Sequence, residues 1–296
     1  MCELTRLHDT PMTESLTAHL AYHQIDAFTR HAFAGNPAAV YVLDHWLDDE
    51  RLQAIAAEHN LAETAFVVPG SANSGHLRWF TPTCEVALCG HATLATAHVL
   101  LTERTDFAAP LTFTTEQAGE LYVEQTDGRL WLNFPANAPA PCDQDLAAVA
   151  DALGAAPEEW QIASNYVAVF DSQNAVAKLA PDFAALTRAL AGTNRGVIAT
   201  ARADADQSDD ETIDFVSRYF APAHGINEDP VTGSAHCTLA PYWGQRLGKT
   251  ALAARQISAR GGTLSCRIVD DRIHIGGDAV TVAAGTLFID TSEVVS

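Results

Sequence analysis

The stretch FTPTCEVALCGHATLATAHVL, residues 80–100, contains the start of a helix that lacks a conventional capping residue. Cys89, Gly90 and His91 stand where Ser, Thr, Asp or Asn commonly caps the first turn. The run Ala92–Leu101 that follows is apolar on nearly every side, which predicts a buried helix rather than a surface helix. The sequence therefore places reactive side chains at the first turn of a buried helix.

The same pattern occurs a second time further along the chain. RWFTP from Arg78 returns as RYFAP from Arg218, an offset of 140 residues. GHATLA from Gly90 returns as GSAHCTLA from Gly233, an offset of 143 residues, so the second copy carries three extra residues between its proline and its glycine. A third match, GELYVEQTDGRLWL with GTLSCRIVDDRIHI, keeps the offset of 143. Repeats this long exceed the roughly 20–50 residues of solenoid units and indicate two homologous domains.

Each half has the same coarse pattern of elements. An alternating strand (21–28; 165–171) precedes a helix (48–59; about 182–191), a second strand, the Arg-aromatic-Phe-x-Pro strand end, the glycine-initiated helix and a β-hairpin. In the second half, Pro241 is expected to bend or shorten the central helix. We expect an α+β fold of two homologous domains, each a barrel-like β-sheet around a central helix, related by a pseudo-twofold axis with a cleft between them.

The repeat also predicts the domain boundaries. Residues 1–20 are polar and lack a strong period, which is typical of a loose N-terminal extension. The N-terminal domain is expected to span residues 21–136 and to be completed by a C-terminal strand at about 285–296. The C-terminal domain is expected to span residues 137–284.

Composition narrows the class of partner. The 296 residues carry 37 acids against 17 bases, a net charge of −20, which argues against nucleic acid or an anionic membrane as a partner. The six cysteines form no C-x-x-C pair and are expected to be free thiols in a reducing compartment. Residues 1–20 lack the pattern of a secretory signal, and no apolar run is long enough to span a bilayer, so we expect a cytoplasmic protein.

The two helix starts suggest how an acidic protein can bind an acidic small molecule. The first turn of a helix presents unpaired backbone N–H groups and about half a positive charge. Gly90 and Gly233 allow a ligand to approach that backbone closely, so two helix starts that face each other across a cleft can hold a carboxylate. Alternatively, both glycines serve only to make tight turns.

Four segments also carry a family resemblance. They are DAFTRHAFAGNPAAVYVLD from Asp26, NLAETAFVV from Asn60, RWFTPTCEVALCGHATLATAHVL from Arg78 and EDPVTGSAHCTLAPYW from Glu228. These segments resemble the phenazine-biosynthesis (PhzF-like) isomerase family, which has the diaminopimelate epimerase-like fold, and the likeness runs from about residue 25 to 287. The resemblance implies two similar domains, a site in the cleft between them, cofactor-free isomerisation by proton transfer and a homodimer.

The resemblance further implies roles for single residues. Glu63 matches the catalytic glutamate of the family, His91 its site histidine and Asp229 its site aspartate. Four positions are assigned to binding the substrate: Gly90, Ala92, Gly233 and Ser234.

The residues by themselves support these roles only in part. The apolar neighbours of Glu63 would desolvate its carboxylate and raise its pKa toward that of an acid/base catalyst, but a glutamate here could also be a turn residue or point into solvent. A histidine ordinarily titrates near neutrality, so His91 could relay a proton, or it could be structural. Asp229 stands before a proline and could serve an Asx-turn.

Cys89 invites comparison with the related amino-acid epimerases of this fold, in which two cysteines precede the two helix-start glycines. The equivalent position in the second half holds Thr232, which cannot act as the second base. Two-thiol racemisation is therefore disfavoured, and Cys89 is interpreted as a small buried residue. His98 and His236 are interpreted as structural. No metal site is expected, since His91 and His98 are seven residues apart on one helix, too far for an ordinary pair of metal ligands. No cofactor is expected either, and no P-loop or dinucleotide motif that would bind a nucleotide is present.

The sequence thus predicts a cofactor-independent isomerase that moves a proton within a small carboxylate-bearing metabolite. Glu63 would remove the proton and return it elsewhere on the same substrate, while the two helix starts hold the carboxylate. Two alternatives stay open: an amino-acid epimerase or racemase of the same fold, and a non-catalytic protein that binds small anions.

Overall fold

The computed structural model describes residues 17–204 and 212–290, and in these ranges the chain forms six α-helices and eighteen β-strands. The helices are α1 (Asp49–His59), α2 (Gly90–Glu103), α3 (Ala147–Leu153), α4 (Gln173–Ala177), α5 (Phe183–Ala189) and α6 (Gly233–Leu247). The strands of the first half are β1 (Thr17–Ala27), β2 (Asn36–Val42), β3 (Glu63–Pro69), β4 (Ser74–Phe80), β5 (Glu85–Val86), β6 (Leu111–Thr114), β7 (Glu120–Thr126) and β8 (Arg129–Pro135). Those of the second half are β9 (Ala140–Pro141), β10 (Glu159–Ile162), β11 (Tyr166–Val169), β12 (Val197–Arg202), β13 (Phe215–Ala221), β14 (Ile226–Asp229), β15 (Ala251–Gln256), β16 (Gly262–Val269), β17 (Arg272–Gly277) and β18 (Ala279–Asp290).

The strand pairings repeat once along the chain. In the first half, β2–β3 and β4–β6 are parallel, whereas β3–β4, β4–β5, β6–β7 and β7–β8 are antiparallel. Strands β11 to β17 make the same pairings in the same order. Helices α2 and α6 hold the same place in this order, directly before β6 and β15. The predicted α+β fold with two homologous halves is confirmed.

The two halves are joined through their sheets. Strands β8 and β17 pair with each other, β9 pairs with β10, and β18 pairs with β1. Strands β9 and β18 therefore hold equivalent places: β9 follows β8 of the first half and pairs with β10, and β18 follows β17 of the second half and pairs with β1. The sheet runs through the boundary without a break, and the division of the chain into domains at residue 136 stays a prediction.

Two boundaries and one correspondence between strands differ from those expected. Strand β1 begins at Thr17, inside the stretch assigned to a loose extension, whereas residues 1–16 lie outside the described ranges. Strand β18 begins at Ala279, earlier than the expected residue 285. The strand expected at 165–171 corresponds by its pairings to β2, not to β1, whose counterpart is β10. The leading strands could not be matched from sequence because they share no similarity.

Each central helix is enclosed by strands. Helix α2 contacts β1, β2, β3, β8 and β18, and its side chains from residue 91 to 100 are buried except for the half-buried His98. The hydroxyls of Thr93 and Thr96 donate to the carbonyls of Cys89 and Ala92 one turn earlier, so the polar atoms inside this apolar surround are satisfied. Helix α6 contacts β15, β16 and β17 in the same way. The outer helices α1 and α3–α5 cover other faces of the sheet with two separate apolar clusters.

A bidentate ion pair marks the same corner in both halves. Arg78 donates to Glu85 at 2.7 and 2.8 Å, and Arg218 donates to Glu228 at 2.7 and 2.9 Å. The arginines are the first residues of the repeated Arg-aromatic-Phe-x-Pro motif, so the motif anchors the short strand that leads to each central helix. The three extra residues of the second half fall between these anchors, where the chain forms a 3-10 helix at Pro222–His224.

Pro241 does not shorten its helix, contrary to expectation. Helix α6 continues to Leu247 because the carbonyl that loses its partner is satisfied from elsewhere. A proline at 241 cannot donate to the Cys237 carbonyl, and the backbone N–H of Asn137 donates to that carbonyl instead, at 3.1 Å.

Candidate active site

The first turns of α2 and α6 open onto one cavity of about 660 Å³. Both helix-start glycines line it, together with Glu63, His91, Asp229 and Ser234. The structure thus brings six of the seven sequence-predicted site residues to one place. The exception is Ala92, whose side chain lies in the hydrophobic core.

Both helix starts are uncapped. Cys89 and Thr232 hold the N-cap positions, and neither side chain makes a capping hydrogen bond. Neither Gly90 nor Gly233 has a positive φ, and a Cβ built on either would meet no protein atom closer than 3.6 Å outside its own helix and its chain neighbours. A turn therefore does not require these glycines, and the tight-turn alternative loses its physical reason. The space that a side chain would take is part of the cavity, where the helix N–H groups remain available to an anion.

Glu63 is the first residue of β3, and its side chain is only 14% exposed. Burial, the largest influence, and the nearby Asp229 charge raise the pKa of this carboxyl to about 8, while a hydrogen bond with the Cys89 thiol acts in the opposite direction. The turn and solvent alternatives do not fit these surroundings. The carboxyl is mostly protonated at neutral pH, and a modest change in its environment would ionise it.

His91 follows Gly90 in the first turn of α2. Its Nε2 lies 3.3 Å from Glu63 Oε2, but the two atoms do not form a hydrogen bond. Burial lowers the pKa of the imidazole to about 4, while a hydrogen bond with the Pro37 carbonyl opposes that shift. His91 is therefore neutral at neutral pH and can donate or accept a hydrogen bond but is not a standing cation.

Asp229 is the last residue of β14. It is the acidic residue that the second half contributes to the lining of the cavity. It accepts hydrogen bonds from Asn36 Nδ2 at 2.8 Å and from the Thr232 hydroxyl. Burial raises its pKa to about 6, and these two hydrogen bonds act in the opposite direction. Because both oxygens are held by partners, Asp229 has less freedom than Glu63 to move a proton.

The duplication leaves the acid/base chemistry on one side only. In the register of β3 with β4 and of β12 with β13, Glu63 corresponds to Gly196, where the Tyr219 ring fills the space of a side chain. His91 corresponds to Ser234 and Cys89 to Thr232. The cavity therefore has one mobile carboxyl rather than two related by the pseudo-twofold axis.

Cys89 lies close to both titratable groups of its half. Its Sγ is 3.4 Å from His91 Nδ1, and burial raises the pKa of the thiol well above its ordinary value. Glu63, Cys89 and His91 each offer one possible metal-ligand atom within 4.8 Å of the other two. A thiol must lose its proton to bind a metal, which burial beside two carboxyls disfavours. The expected absence of a metal stays a prediction.

Sequence reasoning missed several polar groups around the cavity. Asn137, Asn165 and Tyr219 line it, and Asn36 and Gln256 support it from behind. Tyr219 could have been found, because it is the aromatic residue of the repeated strand-end motif. The asparagines follow no motif that is shared by the two halves.

The three-residue insertion of the second half contributes to the cavity wall. His224 and Ile226 line the cavity, whereas the shorter loop of the first half between Phe80 and Glu85 does not. Leu88 is 42% exposed at the rim, although the equivalent Val231 is buried. No Lys or Arg belongs to the lining residues of the described ranges, so any anion held here relies on neutral donors, among them the helix N–H groups.

The other histidines noted in the sequence lie elsewhere. His236 Nδ1 contacts the Thr232 carbonyl at 2.8 Å inside the core, and His98 Nε2 lies 3.0 Å from the Thr281 hydroxyl on β18. In the part of the chain that the structure covers, no helix is both long and apolar enough to cross a membrane.

Comparison with known proteins gives consistent matches along nearly the whole chain. The model of the PhzC-PhzF family, phenazine biosynthesis-like protein, matches residues 25–285. An uncharacterized isomerase of Pseudomonas aeruginosa is 50% identical over 270 residues, which are 91% of this chain and 99% of the relative. The crystal structure of a PhzF family protein from Enterococcus faecalis superposes with a TM-score of 0.85 at 44% identity, covering 92% of this chain and all of that one. The structure of a predicted epimerase from P. aeruginosa shares the fold, with a TM-score of 0.68 at 20% identity over 90% of this chain and 99% of the other.

Proposed function

Because this chain belongs to the phenazine biosynthesis-like (PhzF) family, we propose that it is a cofactor-independent isomerase that moves a proton within a small carboxylate-bearing metabolite. Curated relatives bear the name isomerase, which supports the reaction class. We propose further that the partner is a small molecule rather than nucleic acid or a membrane. A cytoplasmic location and a homodimer stay predictions.

One observation carries the proposal. A desolvated carboxyl with a pKa near 8, Glu63, opens into a cavity that is bracketed by two uncapped helix N-termini. A proton carrier needs a pKa near the working pH, and a substrate carboxylate needs donors where no cationic side chain is available. The site combines both features.

The mechanism follows from this placement. Backbone N–H groups at Gly90 and Gly233 hold the substrate carboxylate, and Ser234 and Asp229 orient other polar groups. Ionised Glu63 takes a proton from a carbon that is acidified by an adjacent unsaturated or carboxyl group. The resulting Glu63 carboxylic acid exchanges its proton with solvent and delivers a proton to another carbon of the same molecule. His91 Nε2, 3.3 Å from Oε2, is placed to donate a hydrogen bond to this carboxylate once it forms.

The epimerase alternative is less well supported by the residues at hand. A two-base racemisation needs a second base on the opposite face of the substrate. In the second half, Thr232 holds the position equivalent to Cys89, and Gly196 holds the position equivalent to Glu63. Neither side chain can act as a base. The anion-binding alternative shares the helix starts but gives no reason for the perturbed glutamate.

The reaction class is tested by solvent exchange. The wild-type protein is incubated in heavy water with a panel of small unsaturated carboxylic acids, and each acid is examined by mass spectrometry and ¹H NMR. A substrate should gain one deuteron and shift its double bond. If every acid stays unlabelled although some bind, the anion-binding alternative is favoured.

Replacing Cys89 by Ser should lower kcat/KM less than tenfold. The thiol is protonated because burial raises its pKa, and Thr232, which has no thiol, holds the equivalent position in the second half. Steady-state kinetics are compared with those of Cys84→Ser, an exposed cysteine that serves as the matched control. A roughly thousandfold loss, as expected for an essential acid/base group, would instead support the epimerase reading.

The rate should depend on pH through Glu63. Because only the ionised carboxyl acts as a base, kcat/KM should rise about tenfold per pH unit below pH 8 and level off above it. Asp229, with a pKa of about 6, adds curvature on the acidic side. If kcat/KM instead falls above pH 8, the reaction begins with protonated Glu63, which then donates its proton first. If kcat/KM does not change with pH, Glu63 does not take part in proton transfer.

A further inference from the structure

Asn36 joins the two halves behind the cavity. It is the first residue of β2 and is fully buried. Its Nδ2 lies 2.8 Å from Asp229 Oδ1, 2.9 Å from the Val231 carbonyl and 3.2 Å from His91 Nδ1. One amide group therefore contacts the histidine of one half and the aspartate of the other.

The orientation of this amide is fixed by its surroundings. The Val231 carbonyl can only accept a hydrogen bond, so the nitrogen and not the oxygen of Asn36 must face it. The Asn36 Oδ1 that results is buried without a partner in the described ranges. A buried acceptor without a partner lowers the stability of the fold by about 1–3 kcal/mol. The orientation persists because flipping the amide would lose all three contacts of Nδ2.

The amide in turn fixes the proton of His91. The amide has two N–H bonds for three neighbours, so His91 Nδ1, the longest contact at 3.2 Å, shares a hydrogen with one of the two oxygens. Because the amide nitrogen cannot accept, a proton on Nδ1 would have no acceptor there. The other neighbour of Nδ1 is the Cys89 thiol at 3.4 Å, which is protonated and can also donate. The ring is neutral, so it carries a single proton, and that proton must also serve the hydrogen bond with the Pro37 carbonyl. Because donors face Nδ1, the proton lies on Nε2, the atom 3.3 Å from Glu63 Oε2.

We propose that Asn36 is a positioning residue that holds His91 in the Nε2–H tautomer and thereby turns an N–H donor toward Glu63. With this tautomer the ionised form of Glu63 gains a donor as it forms. With the other tautomer a lone pair would face the carboxyl and favour its protonated form. The kinetic consequence rests on the proposed function, whereas the tautomer itself does not.

The tautomer can be read directly by NMR. The protein is labelled with ¹⁵N-histidine, the His91 signals are identified by their loss in His91→Gln, and long-range ¹H–¹⁵N spectra are recorded at pH 7. The wild type should show an unprotonated Nδ1 and a protonated Nε2 for His91. A protonated Nδ1 in the wild type would overturn the proposal without any variant.

Asn36→Asp tests the role of the Asn36 donor. The variant keeps the size of the side chain but replaces the donating nitrogen by an oxygen, which then faces the three atoms that accepted from Asn36. A proton should move onto His91 Nδ1, and kcat should fall at least tenfold while the apparent pKa of kcat/KM rises. Asn133→Asp is the control, since Asn133 Oδ1 already accepts from Arg272 and an aspartate keeps that contact. Unchanged His91 signals in Asn36→Asp would refute the role of Asn36.

Two further outcomes separate this proposal from the proposed function. If Asn36→Asp does not fold, Asn36→Leu removes the donor without adding charge, and His91 should then show a mixture of tautomers rather than Nε2–H alone. If the wild type exchanges no deuterium with any acid but shows the Nε2–H tautomer, the isomerase proposal fails and the positioning role stands.

Discussion

Glu63→Gln is expected to lower turnover roughly 10²–10⁴-fold while ligand affinity changes little. Glutamine keeps the size of the side chain and most of its hydrogen bonding but cannot ionise. The carboxylate of the ligand is held by the helix starts at Gly90 and Gly233, which the substitution leaves intact. Single-turnover rates measure the loss, and calorimetric titration with the same acid measures binding.

The variant should also be more stable than its parent, which guards against trivial loss of fold. Glu63 keeps its proton up to about pH 8 in the folded chain, whereas an ordinary glutamate loses it near pH 4.5. Between these values the folded state binds more protons than the unfolded state, so stability falls as pH rises, by up to about 1.4 kcal/mol per pH unit. Glu63→Gln removes this slope, and the exposed Glu124→Gln should not. Wild-type turnover in Glu63→Gln would transfer the proton-carrying role to another residue, with His91 the first to test.

Gly90→Ala and Gly233→Ala should each weaken carboxylate binding about 10- to 100-fold while the fold stays intact. A methyl group at either position has room with respect to the protein, since the nearest atom would be a ring carbon of Phe134 or Phe28 at 3.6 or 3.7 Å. It would, however, occupy space at the helix start that the ligand needs, and a hydrogen bond to an anion there contributes about 1.5–3 kcal/mol.

The measurement for these glycine variants is a Kd for the acid that labels in heavy water, with melting temperature recorded alongside. Alanine is a better helix former than glycine, so the melting temperature should stay the same or rise. Undiminished affinity in both variants would mean that the carboxylate lies elsewhere in the cavity. Equal losses would support a clamp made by both helices, and a loss in one alone would assign the contact to a single helix.

The sequence predicted the duplication because its markers are local and chemically demanding. The repeated arginine anchors a short strand through an ion pair, and the repeated glycine starts a helix over a cavity, so both survive divergence at nearly fixed spacing. The first turn of α2 and the position of Glu63 on an apolar strand were readable for the same reason. Strands β1 and β10 carry no such marker, and their equivalence is visible only in their hydrogen bonds.

Other features depend on contacts between distant segments. Asn36 and Asp229 are 193 residues apart, and nothing in either local sequence indicates that they meet. The continuation of α6 through Pro241 depends on a donor from Asn137, outside the helix. The one-sided chemistry of the site depends on Gly196, whose correspondence to Glu63 emerges only from the strand register.

The central claim is that the fold holds Glu63 as a proton carrier poised near neutral pH, and the pKa of this one carboxyl tests it most directly. The protein is labelled with ¹³C at the glutamate side-chain carboxyl, and the Glu63 signal is assigned by its absence from Glu63→Gln. A titration from pH 4 to 10 should show this carboxyl ionising at about pH 8, where the rate profile also turns. Ionisation near the ordinary glutamate value of about 4.5 would contradict the account, because Glu63 would then be a standing carboxylate and a weak base, not a proton carrier with a pKa near the working pH.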